Sequence, residues 1–179
     1  MSIKYRRDLW KLLANQTGGA AEIGVAEGYF SADMLAWPIN LPTLYMVDRW
    51  ACVPTQKGDA SNEQAWHDKN YADACRRVSG YGPRAVMLRG DSLDACERVP
   101  DESLLLVYID GDHSYRGVMA DICAWRNKVK PGGYMAFHDY ENTNYGVKQA
   151  VQDYCRIHNL TIHLIPEDQP EDAGAYFQC

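Results

Sequence analysis

Acidic side chains, with one serine and one histidine, follow apolar runs at four places in the chain. The residues concerned are Glu22, then Asp48, then Asp91 with Ser92, and finally Asp110, Asp112 and His113. Carboxylates at the ends of parallel strands can accept hydrogen bonds from ribose hydroxyls or from the amino group of a base. A neutral histidine titrates near pH 7 and can take up a proton. The pattern predicts a ligand site built from strand ends, although each acid alone could be a helix cap or a solvated turn.

The stretch "AEIGVAEGYF" combines an acidic residue with two glycines at the end of the first apolar run. The spacing over Glu22, Gly24 and Gly28 is E-x-G-x-x-x-G, which differs from the G-x-G-x-x-G fingerprint of a pyrophosphate site. A glycine turn lets a ligand touch the backbone, and the carboxylate of Glu22 or Glu27 can receive a cation. The stretch therefore favours a positively charged nucleoside over a dinucleotide.

Apolar runs alternate with amphipathic segments, which predicts repeated βαβ units and a mostly parallel sheet. Strands are predicted at residues 20–26, 43–48, 84–90, 104–110, 134–139, 160–166 and 174–179, and helices at 29–37, 62–78, 115–129 and 145–158. Another helix is expected near the start, where Leu9, Leu12 and Leu13 have helical spacing. The last two strands flank a polar turn and are expected to form a hairpin. The strand ends named above then share one edge of the sheet.

Composition limits the class of protein. A chain of 179 residues that is 46% hydrophobic can bury one core, so a single domain over residues 1–179 is expected. A net charge of -6 makes nucleic acid an unexpected partner, and no long apolar run predicts a membrane span. The first residues lack the pattern of a signal peptide, which predicts a cytoplasmic protein. Six dispersed cysteines are expected to be reduced thiols.

Residues 49–64 form the longest irregular segment. A loop of this length is often a lid or a binding loop, and the alternative is a mobile surface excursion. We expect the segment to be ordered only over a bound cofactor, because a lid excludes water from the reaction. Trp50 and Trp66 flank it and are candidates for the wall of an acceptor site, with a packing role equally open.

The motifs together resemble those of class I S-adenosylmethionine-dependent methyltransferases. The resemblance runs from about Ala21 to Tyr140 and rests on "EIGVAEGYFS", "YMVDRW", "LRGDSLDA", "YIDGDHSYRGVMADICAW" and "KPGGYMAFHDY". It points in particular to the small branch related to macrocin-type sugar O-methyltransferases. It implies an α/β, Rossmann-like fold whose seven-stranded sheet has an antiparallel last strand and helices on both faces.

The resemblance also implies a cofactor site for S-adenosylmethionine. Glu22, Gly24 and Gly28 would line the methionine end, Asp48 the ribose, Asp91 and Ser92 the adenine, and Asp110 would face the cofactor. The acceptor is expected to be a small hydroxylated molecule, such as a sugar or a phenol, whose hydroxyl must lose a proton to a base or beside a metal ion. A homodimer is expected by the same analogy.

A metal site is the point at which the chain departs from this branch. Metal-dependent relatives bind magnesium through an Asp and an Asp-Asp pair, and the matching positions here are Asp110, His138 and Asp139. Imidazole suits manganese and other transition metals better than magnesium, so His138 either alters the choice of metal or abolishes binding. Asp112 matches the base of such relatives, and His113 is the alternative base if no metal binds.

Two other functions stay open at the level of sequence. A nicotinamide-dependent oxidoreductase would share the sheet order, but neither G-x-G-x-x-G nor a Tyr/Lys catalytic pair is evident. A non-catalytic adenosyl-binding protein is compatible with the fold, because fold does not establish activity. Four residues of reactive type argue against a pure binder, namely Asp112, His113, His138 and Asp139.

Overall fold

A computed structural model describes residues 2–52 and 63–179. Within these residues the chain forms a seven-stranded sheet and six α-helices. The strands are β1 (Gly19–Ile23), β2 (Leu44–Asp48), β3 (Ala85–Arg89), β4 (Leu104–Ile109), β5 (Val129–Phe137), β6 (His163–Ile165) and β7 (Gly174–Gln178). The helices are α1 (Trp10–Leu13), α2 (Tyr29–Leu35), α3 (Gln64–Val78), α4 (Ser92–Cys96), α5 (Tyr115–Trp125) and α6 (Val147–His158).

The strand order across the sheet is β3-β2-β1-β4-β5-β7-β6. The pairs among β1 to β5 are all parallel, whereas β7 runs antiparallel to both β5 and β6. The predicted seven-stranded Rossmann-like fold, with its antiparallel last strand and terminal hairpin, is confirmed. The order reverses between β1 and β4, which places a crevice at their carboxyl ends.

Helices cover both faces of the sheet, as predicted. One buried cluster joins residues of α4, α5 and α6 to one side of the strands. The other cluster joins α1, α2 and α3 to the opposite side. Neighbouring residues of the central strand β4 face opposite clusters, since Val107 lies in the first cluster and Tyr108 in the second. Strand β4 is buried along its whole length, which explains its continuous apolar run.

The boundary between α5 and β5 differs from the prediction. The helix predicted to reach Val129 ends at Trp125, and a 3-10 turn leads into β5 at Val129 instead of Tyr134. The register between β4 and β5 shifts between Leu104 and Leu106, so the "KPGG" segment lies within the strand and interrupts its pairing. A glycine-rich segment therefore forms a strand irregularity where the sequence indicated only a helix stop.

Cys75, Cys96, Cys123, Cys155 and Cys179 are free thiols in the described structure. In the part of the chain that the structure describes, no helix is long and apolar enough to cross a membrane.

Candidate active site

A pocket of about 530 Å³ lies at the carboxyl ends of the central strands. Its wall includes most of the residues predicted to hold the cofactor, namely Glu22, Gly24, Asp48, Asp91, Ser92 and Asp110, together with Asp112. Gly28 is not part of the wall. The folding of parallel strands therefore brings the predicted strand-end residues, except His113, into one cavity.

The two glycines after β1 are required by packing. Gly24 has a φ of +90°, and a Cβ there would lie 2.0 Å from the carbonyl oxygen of Asp110. Gly28 has a φ of +76°, and a Cβ there would lie 3.2 Å from Cα of Ala74 on α3. Gly24 allows the turn to approach β4 under the pocket, and Gly28 allows α2 to approach α3. The glycine pattern is thus a close-packed turn that also lines one wall of the pocket at Gly24.

Asp48, the last residue of β2, fixes this turn through its carboxylate. Oδ2 accepts the backbone N–H groups of Val25 at 3.0 Å and Ala26 at 2.9 Å, and Oδ1 accepts that of Trp50 at 2.7 Å. A carboxylate offers about four acceptor positions, so at least one remains for a ligand hydroxyl. Asp48 therefore has a structural role in addition to its predicted place beside the ribose.

Glu22 is a buried acid in the floor of the pocket. Its side chain is 2% exposed, and the hydroxyl of Ser31 on α2 donates a hydrogen bond to it. Burial raises the pKa of Glu22 to about 8, against the opposing effect of the Ser31 hydrogen bond and with a further rise from the charge of Asp110. The carboxyl is therefore mainly protonated at pH 7, unless a bound cation stabilises its ionised form.

Asp91 and Ser92 form the turn from β3 into α4. Oδ1 of Asp91 accepts the N–H of Leu93 at 3.0 Å as a helix cap, and Oδ2 lies 3.3 Å from Nε of Arg49. The hydroxyl of Ser92 donates to Asp121 of α5, which is 4% exposed and also lines the pocket. Burial raises the pKa of Asp121 to about 6, although the Ser92 hydrogen bond lowers it.

Asp112 lies on the pocket wall in the turn before α5. Its Oδ1 accepts the N–H of Ser114 at 2.9 Å. A Cβ on Gly117 would lie 2.5 Å from its Cγ, so its carboxyl group packs directly over that glycine. These contacts stabilise the helix start, and the predicted role of Asp112 as a base stays a prediction.

The remaining predicted residues form a His/Asp cluster, which we define as Asp110, His113, His138 and Asp139. The Nδ1 atom of His138 lies 3.5 Å from Oδ1 of Asp110 and 3.0 Å from Oδ2 of Asp139. The Nε2 atom of His113 lies 3.3 Å from the same oxygen of Asp110 and 3.1 Å from the same oxygen of Asp139. Oδ1 of Asp110 and Oδ2 of Asp139 thus each contact both imidazoles.

Local backbone and ring contacts hold this cluster in place. Asp139 has a φ of +53°, a left-handed conformation in the turn that follows β5. The ring of His113 stacks on Tyr145, with 4.5 Å between centroids and 15° between planes. The backbone N–H of Gly146 donates to the His113 carbonyl at 2.9 Å. The loop before α6 therefore orients the His113 ring.

Electrostatics within the cluster favour protonated imidazoles and an ionised Asp139 in the absence of a cation. Burial lowers the pKa of His113, but the hydrogen bond and charge of Asp110 and the charge of Asp139 outweigh it and raise the pKa above its usual value. The pKa of His138 is raised in the same way, against burial, by Asp139 and Asp110. The pKa of Asp139 is lowered, because the two imidazoles outweigh its own burial.

Asp110 connects the pocket to the His/Asp cluster, since it belongs to both. The other three members of the cluster do not line the pocket.

Arg6, from the segment before α1, also lines the pocket and lies 3.7 Å from Asp110. Its guanidinium stands 5.0 Å from the ring centroid of Phe30, and its backbone N–H donates to Glu167. The amino-terminal segment therefore adds a cation to the pocket wall.

Several pocket residues carried no prediction from sequence. They are Arg6, His67, Asn70 and Asp121. His67 and Asn70 belong to the buried face of α3, and no described residue pairs with Nδ2 of Asn70. Polar residues in the apolar stripe of a helix are a usable signal, and Asp121 shows the same pattern in α5.

The two tryptophans beside the long segment have different environments. Trp50 is 1% exposed, packs against Tyr71 and donates from Nε1 to the carbonyl of Ala26 at 2.8 Å. Trp66 is 39% exposed at the wall of the pocket. Packing thus accounts for Trp50, and Trp66 has the exposure that an acceptor wall requires. The predicted lid at residues 49–64 falls largely on 53–62, which lie outside the described residues.

Residues 21–140 match a family model described as a methyltransferase domain, and the chain belongs to this family. The fold and the family together define a class I S-adenosylmethionine-dependent methyltransferase. The resemblance to class I S-adenosylmethionine-dependent methyltransferases is therefore confirmed, and the family assignment decides against the nicotinamide-dependent alternative.

Solved structures with the same fold include enzymes that methylate different atoms. The O-methyltransferase NovP superposes with a TM-score of 0.70 at 21% identity, over 96% of this chain and 76% of that one. CalS11, a TDP-rhamnose 3'-O-methyltransferase of calicheamicin biosynthesis, gives 0.67 at 19%, over 95% and 75%. The N-methyltransferase NodS from Bradyrhizobium japonicum WM9, in complex with S-adenosyl-L-homocysteine, gives 0.63 at 16%, over 96% and 83%. These TM-scores show that the three enzymes share the fold of this chain.

A sequence relative has no assigned activity. The uncharacterized protein y4gI of Sinorhizobium fredii (strain NBRC 101917 / NGR234) is 28% identical over 108 residues. The match covers 53% of this chain and 12% of that protein, so the chain spans a small part of its relative's length.

Proposed function

We propose that the protein transfers the methyl group of S-adenosylmethionine to a hydroxyl oxygen of a small acceptor such as a sugar or a phenol. The observation that carries this proposal is the position of Asp110, which lies on the pocket wall and in the His/Asp cluster. A hydroxyl must lose its proton to become a strong nucleophile. Groups that can accept a proton or hold a cation therefore adjoin the end of the pocket where the sulfonium would lie.

The step balances without an oxidant or a reductant. The acceptor oxygen forms a bond to the methyl carbon, the carbon–sulfur bond breaks, and its electron pair stays on sulfur as S-adenosylhomocysteine forms. The acceptor proton passes to a base of the protein or to solvent. The protein's contribution is to align donor and acceptor and to exclude water.

The charges of the pocket support a defined direction for the cofactor. Glu22 and Arg6 at one end suit the ammonium and carboxylate of the methionine part. Asp48 keeps an acceptor position for a ribose hydroxyl. The turn at Asp91 and Ser92 forms the opposite end, where the adenine would lie. Among the described residues, Arg6 and Arg49 are the cations that line the pocket, and Arg49 already pairs with Asp91.

The donor atoms of Asp110, His138 and Asp139 have a spacing that fits a divalent cation. They lie within 4.8 Å of one another, and two of the separations are 3.0 and 3.5 Å. Neighbouring ligands in an octahedral shell with bonds of about 2.1 Å are about 3.0 Å apart. Two carboxylates and one imidazole suit manganese or another transition metal better than magnesium. A bound cation would lower the pKa of the acceptor hydroxyl.

A metal-free route uses the same residues as a hydrogen-bonded network. His113 lies between two carboxylates at 3.1 and 3.3 Å, the distances of hydrogen bonds that orient an imidazole. In this route Asp112, or His113 in its neutral form, accepts the proton of the acceptor, and the raised pKa of His113 means that its neutral form needs a higher pH. The two routes differ in their response to chelators.

The test is an acceptor screen that measures S-adenosylhomocysteine formation, with sugars and small phenols first and amines as the contrasting series. The enzyme is assayed as purified, after chelation, and after chelation with added manganese or magnesium. Turnover of hydroxyl acceptors supports the proposal. Turnover of amines alone would contradict it, and full activity after chelation would assign deprotonation to the metal-free route.

A further inference from the structure

Two carboxyl groups, Asp91 and Asp121, stand at the adenine end of the pocket. Asp91 already uses both oxygens, one as the cap of α4 and the other beside Arg49 at 3.3 Å. Its side chain is also 43% exposed, so water competes for any remaining acceptor position. Asp91 is therefore occupied in shaping the turn between β3 and α4.

Asp121 has the opposite character. It is 4% exposed and lines the pocket, and its Oδ1 accepts a hydrogen bond from the hydroxyl of Ser92. No donor within the described residues reaches its Oδ2, which lies beside Gly111 at the end of β4, 3.9 Å from the position of a Cβ there. Because Asp121 lines the pocket, this oxygen has an acceptor position open to an N–H group of a bound ligand.

An adenosyl ligand carries one hydrogen-bond donor group on its base, the 6-amino group of adenine. The ribose hydroxyls are accounted for at Asp48, whose remaining acceptor position lies at the end of β2. We propose that Asp121, oriented by Ser92, accepts a hydrogen bond from the 6-amino group of adenine and so selects adenine as the base. This inference rests on the proposed use of S-adenosylmethionine and assigns recognition of the amino group to Asp121 rather than to Asp91.

The surroundings of Asp121 agree with this role. Burial raises its pKa to about 6, with smaller contributions from the charges of Asp91 and Asp112, and Arg49 opposes the rise. The ionised form therefore predominates at pH 7 but lacks a full set of donors. A ligand amino group would supply a donor to Oδ2 of Asp121, and a hydrogen bond to a charged acceptor is stronger than one between neutral groups.

The experiment compares two ligands that differ only at the amino group. Calorimetry measures the affinity of S-adenosylhomocysteine and of its analogue that carries purine in place of adenine. The wild-type protein should prefer the adenine ligand by roughly 10- to 100-fold, as expected for a hydrogen bond to a charged acceptor. Asp121→Ala should reduce this preference to within about twofold, and Ser92→Ala should reduce it partly.

Asp91→Ala separates the two carboxyl groups. It should weaken binding of both ligands together through the loss of the α4 cap, and the preference for adenine should persist. Asp94→Ala, on the exposed side of α4, is the matched control for fold and affinity, and circular dichroism checks each variant.

Three results would overturn the assignment. They are a preference retained in Asp121→Ala, a preference lost in Asp91→Ala, and a wild-type protein that binds both ligands equally. A wild-type protein that binds neither ligand would instead refute the proposed function itself.

Discussion

Ionisation of the buried Glu22 carboxyl should lower the stability of the free protein as pH rises. The pKa of Glu22 is raised from 4.5 to about 8 in the folded protein. Below pH 4.5 the group is protonated in both states and has no effect. As pH rises towards 8, the unfolded chain releases the proton while the folded protein retains it, so the free energy of unfolding falls. At pH 7 the gap of about 2.5 pH units corresponds to about 3 kcal/mol.

Glu22→Gln removes the ionisation and keeps an acceptor for Ser31. At pH 8 the loss in free energy of unfolding is about 4 kcal/mol, so the variant should unfold at a temperature roughly 8–16 °C above that of the wild type, and the difference should vanish near pH 4.5. Thermal unfolding followed by circular dichroism between pH 4.5 and 8.5 measures both curves. Glu97→Gln, at an exposed position of α4's end, serves as the control. A difference between wild type and Glu22→Gln that does not change with pH would refute the reasoning.

Four further outcomes test the rest of the site. Asp48→Ala should weaken S-adenosylhomocysteine binding by about 1–3 kcal/mol in calorimetry. It should also lower the unfolding temperature, because the backbone N–H groups of Val25 and Ala26 lose their acceptor. Unchanged affinity would show that Asp48 does not contact the cofactor. Gly24→Ala should destabilise the protein by about 1–3 kcal/mol or more in urea unfolding, whereas Gly80→Ala, with nothing within 4 Å, should not. His138→Asp should shift metal-dependent turnover from manganese towards magnesium, and equal preference in both proteins would count against a metal at this position. Hydrogen exchange over residues 49–64 should slow with saturating cofactor if the segment is a lid.

Local patterns in the sequence were sufficient for the seven strands and their mostly parallel arrangement. The continuous apolar run of β4 and the alternation of apolar runs with amphipathic segments predicted a mostly parallel sheet, because burial on both faces leaves that pattern. The boundary of β5 was predicted wrongly, since "KPGG" is a helix stop by local propensity and its pairing with β4 is a contact between distant residues. The residues that follow the strands could be predicted as site residues, because the carboxyl ends of parallel strands lie at one edge of the sheet.

The sequence by itself determined which acids lie at that edge, from Glu22 to Asp110, and the glycines that close the first turn. Only the tertiary structure decided what those acids contact. In the folded protein Asp48 accepts hydrogen bonds from the backbone of the β1–α2 turn, Asp91 lies beside Arg49, and Asp110 contacts two imidazoles. Helical burial also brought Asp121 into the pocket, and the packing of the amino-terminal segment brought Arg6. Apart from the Asp110–His113 pair, these contacts join residues far apart in the chain. Their geometry follows from the packing of whole elements and leaves no signal in local spacing.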